Sequence, residues 1–207
     1  MSRAPKSGFM LYGDPGSGNC LKPKWTADLL GIAHEWINVD VVKGETRQPE
    51  FLAINPAGQV PVARWPDGRV LPQSNAIMLY LAEGSRIIPE SSFERAEALS
   101  WLFWEQYSHE TAIAVRRYQK HYLKKPDTDI DPALSVKGNL ALSVMEGRLK
   151  GRDWFVGNGL SVADIALVAY TRVAHEGGFD LAAYPSVDSW VLRTEDALGI
   201  QHARNPA

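Results

Sequence analysis

The sequence predicts an α/β domain followed by an all-α domain. Strand and helix signals alternate as far as Gly84; after it the strand signals stop while helical periodicity continues. A length of 207 residues, 45% of them hydrophobic and 22% charged, allows one large core or two small ones and excludes wholesale disorder. Basic and acidic residues nearly cancel, to a net charge of −2, so the chain lacks the electrostatic footprint of a nucleic-acid or anionic-membrane binder. The single cysteine cannot form an internal disulfide, and no Cys/His spacing suits zinc, so no metal is expected. No apolar run approaches the roughly 18 residues of a membrane span. The segment Met1 to Gly8 lacks a signal-peptide core, which predicts a cytoplasmic protein.

The first element is the apolar run Phe9 to Tyr12, a strand ended by Gly13-Asp14-Pro15-Gly16-Ser17-Gly18, a stretch dense in turn residues. A helix follows from Asn19 to Leu30, with Trp25, Leu29 and Leu30 at compatible spacing and Gly31 as its stop. Pro23 has no amide hydrogen and is read as part of the first turn, which places the helix start near Ser17 to Asn19. Glu35 to Val39 reads as the second strand. Beyond the polar segment Lys43 to Glu50, the apolar piece Phe51 to Ile54 is a short helix, broken by Asn55-Pro56-Ala57-Gly58. Val60 to Trp65 and Arg69 to Leu71 form a hairpin around Pro66-Asp67-Gly68. Ser74 then precedes a helix from Asn75 to Glu83.

In the second half, apolar positions between Ser92 and His121 predict one long helix or two consecutive ones. Pro126 to Pro132 is a loop of alternating aspartates. Further helices are expected at Ala133 to Leu149, Ser161 to His175 and Val187 to Ala197. The domain limits are placed at residues 8–84 and 92–205.

Three strings carry the chemistry. In the first, Ser74 lies just before a helix, where free backbone N–H groups and the positive dipole end accept a carboxylate; it serves equally as a cap for that helix. Upstream, Asn55-Pro56-Ala57-Gly58-Gln59-Val60-Pro61-Val62 sets Pro61 at a strand start, and proline is the residue at which cis peptides occur. With Gln73-Ser74-Asn75-Ala76-Ile77, this string resembles the glutathione-binding half of glutathione transferases. The resemblance implies an α/β thioredoxin-like N-terminal domain in which a cis Pro61 turns the N–H and C=O of Val60 toward the peptide part of glutathione. Gln59 belongs to the same set, and Gln73 and Ser74 receive the γ-glutamyl group. Gln73 stands where the family more commonly has an acidic residue, so its contact with the ligand's ammonium is a hydrogen bond without an ion pair.

The second string, Leu11-Tyr12-Gly13 followed by Ser17-Gly18-Asn19-Cys20-Leu21-Lys22, resembles the catalytic loop of serine- and cysteine-type members of that family. Ser17 matches the serine of the theta-like and zeta-like classes, and Asn19 falls where the beta-like class has its cysteine. The resemblance makes Ser17 and Asn19 the candidate catalytic residues. Tyr12 is either a strand residue or the tyrosine that other classes use. Cys20 lies one position beyond the match and reads as a small apolar residue.

The third string, Gly157 to Ala166, places Ser161 and Asp164 at the N-cap and third positions of a helix, with Leu160 and Ile165 forming a hydrophobic staple. It resembles the capping motif in the family's helical domain and implies an all-α helical-bundle C-terminal domain carrying a hydrophobic-substrate site. Trp101, Trp104, Tyr107 and His109, with Glu105 and Glu110, crowd one long helix. In the family that helix lines the hydrophobic-substrate pocket and the dimer cleft, which makes Trp104 and Tyr107 candidates for that pocket. An aromatic stripe at helical spacing serves equally as core. Arg116, Lys120 and Lys124 read as a solvated helix face.

The resemblance implies a homodimer that takes glutathione as co-substrate and adds its sulfur to an electrophilic carbon of a hydrophobic compound, a detoxification chemistry. A thiol with a pKa near about 8.5 is mostly protonated at neutral pH. A hydrogen bond from Ser17, aided by the helix N-terminus, would stabilise the thiolate. If Asn19 meets the sulfur instead, a glutathione-dependent isomerase or disulfide reductase is favoured. A non-catalytic regulatory or binding protein on the same scaffold has no physical need for Ser17, Pro61, Gln73 and Ser74 together.

Overall fold

The computed structural model describes residues 6–204, which divide into a unit ending at Ser85 and a second beginning at Arg86. In the first, the alternation along β1 (Phe9–Gly13) decides which layer each side chain joins. Phe9 and Leu11 are fully buried on one face, packed with Ala27 of α1 (Gly18–Leu29) and with Ile77 and Leu81 of α3 (Ser74–Ala82). Tyr12 turns to the other face and packs on Val39, Val62 and Phe51, the last from the single helical turn α2 (Pro49–Leu52). The sheet has the order β2-β1-β3-β4, where β2 is His34–Asn38, β3 is Val62–Arg64 and β4 is Val70–Pro72. β1 pairs with β2 in parallel, which a short turn cannot connect, so α1 makes the crossover. β1–β3 and β3–β4 are antiparallel, with Leu11 opposite Ala63 and Ala63 opposite Leu71. This is the thioredoxin-like arrangement that the first two strings imply.

Two sequence expectations shift here. Pro23 lies in the second turn of α1 and not in its first: the helix begins at Gly18 and runs through the proline, forgoing the bond that residue 23 would have donated to the Asn19 carbonyl. Helix α3 starts at Ser74 itself, so Gln73, and not Ser74, occupies the cap position.

The second unit is helical throughout its regular structure. The stretch from Ser92 is one continuous helical path, α4 (Ser92–Trp104) and α5 (Glu110–Arg117), with wide π-type turns at Glu105–His109 and Tyr118–Tyr122. The first π turn takes the side chains of Glu105 and His109 fully inside. The Thr171 hydroxyl spends its proton on the Leu167 carbonyl at 2.7 Å, so at the 2.9 Å contact His109 Nε2 is the donor. After α6 (Pro132–Leu149), every residue of α7 (Val162–Thr171) is buried, as a helix apolar on all sides must be. It ends at Thr171, short of the expected His175, which lies in a separate 3-10 turn, Ala174–Gly177. The chain closes on α8 (Pro185–Leu198).

Asp164 anchors this core. Its carboxylate accepts from the Ser161 N–H at 2.9 Å and the Ser161 hydroxyl at 2.8 Å, which with the return bond to Ser161 makes the expected capping box. It also accepts from the Phe155 N–H at 3.0 Å and from Trp190 Nε1 at 2.9 Å. Complete burial pushes the carboxyl upward from its ordinary value, and these hydrogen bonds oppose the push. The expectation of a solvated face at Arg116 is corrected: Arg116 is 9% exposed, donates to the Gly177 carbonyl at 2.8 Å and pairs with Asp127 at 2.6 Å. The aspartates of the 126–132 loop supply the partner that helix spacing could not show. No helix among the described residues is long and apolar enough to cross a membrane.

Candidate functional site

The loop after β1 is shaped by Asp14. Its carboxylate accepts from the Gly16 N–H at 2.8 Å and, across the fold, from the Val41 N–H at 3.2 Å, while its carbonyl accepts from the Ser17 N–H at 3.0 Å. An aspartate that closes a turn on its own backbone is a common local device; the bond to Val41 also ties this loop to the segment after β2. Gly13 is required at the strand end, because a Cβ there would stand 2.5 Å from the Trp36 ring. Ser17 follows as the N-cap of α1, in extended conformation (φ −88°, ψ 116°), but its side chain makes no capping bond. Its hydroxyl lies instead within hydrogen-bonding reach of the Cys20 thiol, three residues on.

Asn19, in the first turn of α1, meets α3. Its Oδ1 accepts from the Ser74 hydroxyl at 3.2 Å and from Lys22 Nζ at 2.8 Å. Ser74 and Lys22 are both buried, while Asn19 is only partly so. The sequence named Asn19 and Ser74 from separate strings; the packing of α1 on α3 puts them in contact. Lys22 was missed. The signal available was its three-residue spacing from Asn19 on one helix face, which does not reveal that the ammonium is buried.

The loop entering β3 is clamped by Asn55. Its Nδ2 donates to the Gln59 carbonyl at 2.7 Å, its Oδ1 accepts from the Ala57 N–H at 3.2 Å, and its carbonyl accepts from the Gly58 N–H at 2.9 Å. Gly58 has φ +62°, and a Cβ on it would lie 3.0 Å from the Thr46 carbonyl, so no larger residue fits without displacing backbone. The Val60–Pro61 peptide that follows is cis. Gln59 is exposed and Val60 half-buried, the latter against the Phe51 cluster.

Gln73 has φ 74° and ψ 115°, a conformation that L side chains rarely adopt. Such strain costs about 1–3 kcal/mol and persists where the surroundings impose it. Gln73→Gly is accordingly expected to raise stability by about 1 kcal/mol while removing the side chain offered to a γ-glutamyl group. Denaturant midpoints and glutathione titration should move in opposite directions, stability up and affinity down; a variant both less stable and equally avid would contradict this.

Tyr12 lies on the sheet face away from Leu11, lining a cleft of about 230 Å³ with Ile37, Val39, Phe51 and Ile54. Its hydroxyl is 3.7 Å from Met10 Sδ and its ring meets Phe51 edge-on. Cys20 is fully buried and its thiol is pushed by that burial from 9.0 to about 11, against the Ser17 hydroxyl and the Asp14 turn, which pull it down. So little thiolate forms near neutrality that Cys20 is no nucleophile. In the second unit, Trp104 is half-buried and packs edge-on against Trp101 with ring centroids 5.2 Å apart. Tyr107 is 86% exposed. Among the described residues no three His, Cys, Asp or Glu side chains cluster as a metal site.

The family model for the N-terminal domain of glutathione S-transferases matches residues 16–83, and that for the C-terminal domain matches residues 107–196. The chain belongs to the glutathione transferase family. A crystal structure of a glutathione S-transferase from Pseudomonas fluorescens Pf-5 is 45% identical, with a TM-score of 0.88 over 91% of this chain and 95% of that one. The chain is also 32% identical over 151 residues to glutathione S-transferase F10 of Arabidopsis thaliana, covering 69% of this chain and 70% of that protein. It is 30% identical over 177 residues to the disulfide-bond oxidoreductase YfcG of Escherichia coli K12, covering 81% and 82%. These relatives are named for two different activities on one fold, so membership alone does not select the reaction.

Proposed function

We propose that this protein adds the thiolate of glutathione to hydrophobic electrophiles. The observation that carries the reading is the Ser17 hydroxyl, set at the N-terminus of α1, making no capping bond and already placed to donate to a sulfur, that of Cys20. The contact of Asn19 with Ser74 holds that loop against the residues offered to the γ-glutamyl group. In this mechanism Val60 pairs its backbone with the peptide, aided by Gln59, while Gln73 and Ser74 take the γ-glutamyl end. The thiol proton leaves to water. Ser17 donates to the sulfur, and the positive end of α1 favours the anion. The thiolate lone pair forms the S–C bond as the leaving group departs with its electrons. Glutathione is the co-substrate, and no metal enters the scheme. Trp104 and Tyr107 are proposed for the hydrophobic partner. The reading extends to a homodimer, supported by exposed Phe103 and Tyr107 on one helical face; sedimentation as a single chain would overturn that part.

The test is retention on immobilised glutathione followed by conjugation of an activated aryl halide. Retention with turnover supports the proposal. Failure to bind points to a regulatory protein on the same scaffold.

A second reading, glutathione-dependent disulfide reduction, is favoured by the Asn19 amide held by two donors. Because Cys20 is buried and protonated, both electrons would come from glutathione. One thiolate attacks the disulfide and releases a thiol, and a second attacks the mixed disulfide to give oxidised glutathione. Turnover of a small organic disulfide with no conjugation of the aryl halide would select this reading.

A further inference from the structure

We propose that Lys22 is a positioning residue for thiol activation, acting through Asn19; the inference rests on the function proposed above. Lys22 is fully buried, which is costly for an ammonium unless it is hydrogen-bonded or paired. It also stands near the N-terminal end of α1, where the helix dipole disfavours a cation. A neutral side chain of the same length would fill the space without either cost, so packing alone does not account for the charge.

What the charge does at the site follows from its bond to Asn19. An ammonium can only donate, so the atom of Asn19 that faces it at 2.8 Å is the carbonyl oxygen. The Ser74 hydroxyl donates to the same oxygen at 3.2 Å, which occupies both of its lone-pair directions. Flipping the amide would set its NH₂ against the ammonium. The orientation of Asn19 is thereby fixed, with its Nδ2–H groups turned away from Lys22 and Ser74. The charge-assisted bond draws electron density from the amide and makes Nδ2–H a stronger donor to an anion such as a sulfur thiolate. Lys22 thus supplies the sulfur site with a directed donor and a positive field without touching the sulfur.

Other ionisable groups do not duplicate this role. α1 packs on α3, whose ionisable side chain is Tyr80, and on β1, whose ionisable side chain is Tyr12. Tyr80 is engaged by Arg69 at 3.2 Å, and Tyr12 lies on the far face of the sheet. Around the loop itself stand Asp14, committed to the turn, and Cys20, protonated. Lys24 farther along α1 is paired with Asp28 at 2.7 Å.

The experiment uses the full-length protein with glutathione and compares wild type, Lys22→Met, Lys22→Arg, Asn19→Ala and the Lys22→Met/Asn19→Ala pair. Lys22→Met is expected to raise the pKa of the bound glutathione thiol by about one and to lower kcat near neutral pH about tenfold. The KM for glutathione should change less than about threefold, because Val60, Gln73 and Ser74 still hold the peptide. Lys22→Arg should restore most of the rate. If Lys22 acts on the sulfur through that amide, adding Lys22→Met to Asn19→Ala costs nothing further. Multiplying losses in the pair, or a wild-type thiol pKa and kcat in folded Lys22→Met, would overturn the inference. If Lys22→Met does not fold, Lys22→Gln, which keeps a donor without the charge, is read by the same criteria. A wild-type protein that binds no glutathione overturns the proposed function and this inference together; a wild type that binds and reacts while Lys22→Met is unaltered overturns only this one.

Discussion

Asp164→Ala is expected to destabilise the helical unit by about 3–5 kcal/mol, because it strands several buried donors and each unsatisfied one costs roughly 1–3 kcal/mol. The donors are the Ser161 N–H and hydroxyl, the Phe155 N–H and Trp190 Nε1, contributed by a loop, the start of α7 and α8. No water can replace the carboxylate cheaply, since Phe155 and Trp190 are fully buried. Asp164→Asn should be only slightly milder. It keeps an oxygen for Phe155 and Trp190 but turns an NH₂ against the Ser161 N–H. The measurement is the denaturant midpoint, with near-ultraviolet circular dichroism reporting Trp190. A loss below about 1 kcal/mol would show that the donors find other partners, and that the capping box is not what organises this core.

Ser17→Ala is expected to lower kcat ten- to a hundredfold near neutral pH, as removing one charge-assisted hydrogen bond is worth roughly 1.5–3 kcal/mol. The same change should raise the pKa of the bound glutathione thiol, read from the ultraviolet absorbance of its thiolate against pH. Glutathione affinity should change much less, because Gln59, Val60, Gln73 and Ser74 do not depend on the hydroxyl. Stability should also hold, since the Ser17 side chain caps nothing. Superimposable thiolate titrations of wild type and Ser17→Ala would move the activating role to the Asn19 amide and favour the disulfide-reducing reading. Asn19→Ala separates the two: on the Ser17 mechanism it costs less than Ser17→Ala, and on the alternative it costs more.

How much of this was legible beforehand varies by element. The strand at Phe9, the helix beginning near Gly18, the hairpin around Asp67-Gly68 and the capping box at Ser161 and Asp164 are written in local signals: alternation, turn residues and fixed offsets. Each depends on neighbours a few residues away, so one sequence suffices. The ends were less legible. α3 begins one residue early, directly after Gln73 at positive φ, and α7 stops at Thr171, short of the expected His175. The two π turns escaped altogether, since one extra residue per turn leaves a helical pattern looking helical.

Of the site, the residue types and their order could be named from the chain: Ser17, Asn19, Val60, Pro61, Gln73 and Ser74. Their relations could not. That Ser17 sits at a helix start yet does not cap it, that Asp14 binds Val41, and that Asn55 clamps Gln59 are facts of geometry. The same limit made Arg116 look solvated when it is buried against Asp127 and the Gly177 carbonyl. The sequence by itself determined the two-part architecture and the chemistry available at the first helix, because propensity and periodicity act over a turn or two of chain. Only the tertiary structure decided that Lys22, Asn19 and Ser74 meet, because a hydrogen bond spanning 55 residues exists only after α1 has packed on α3.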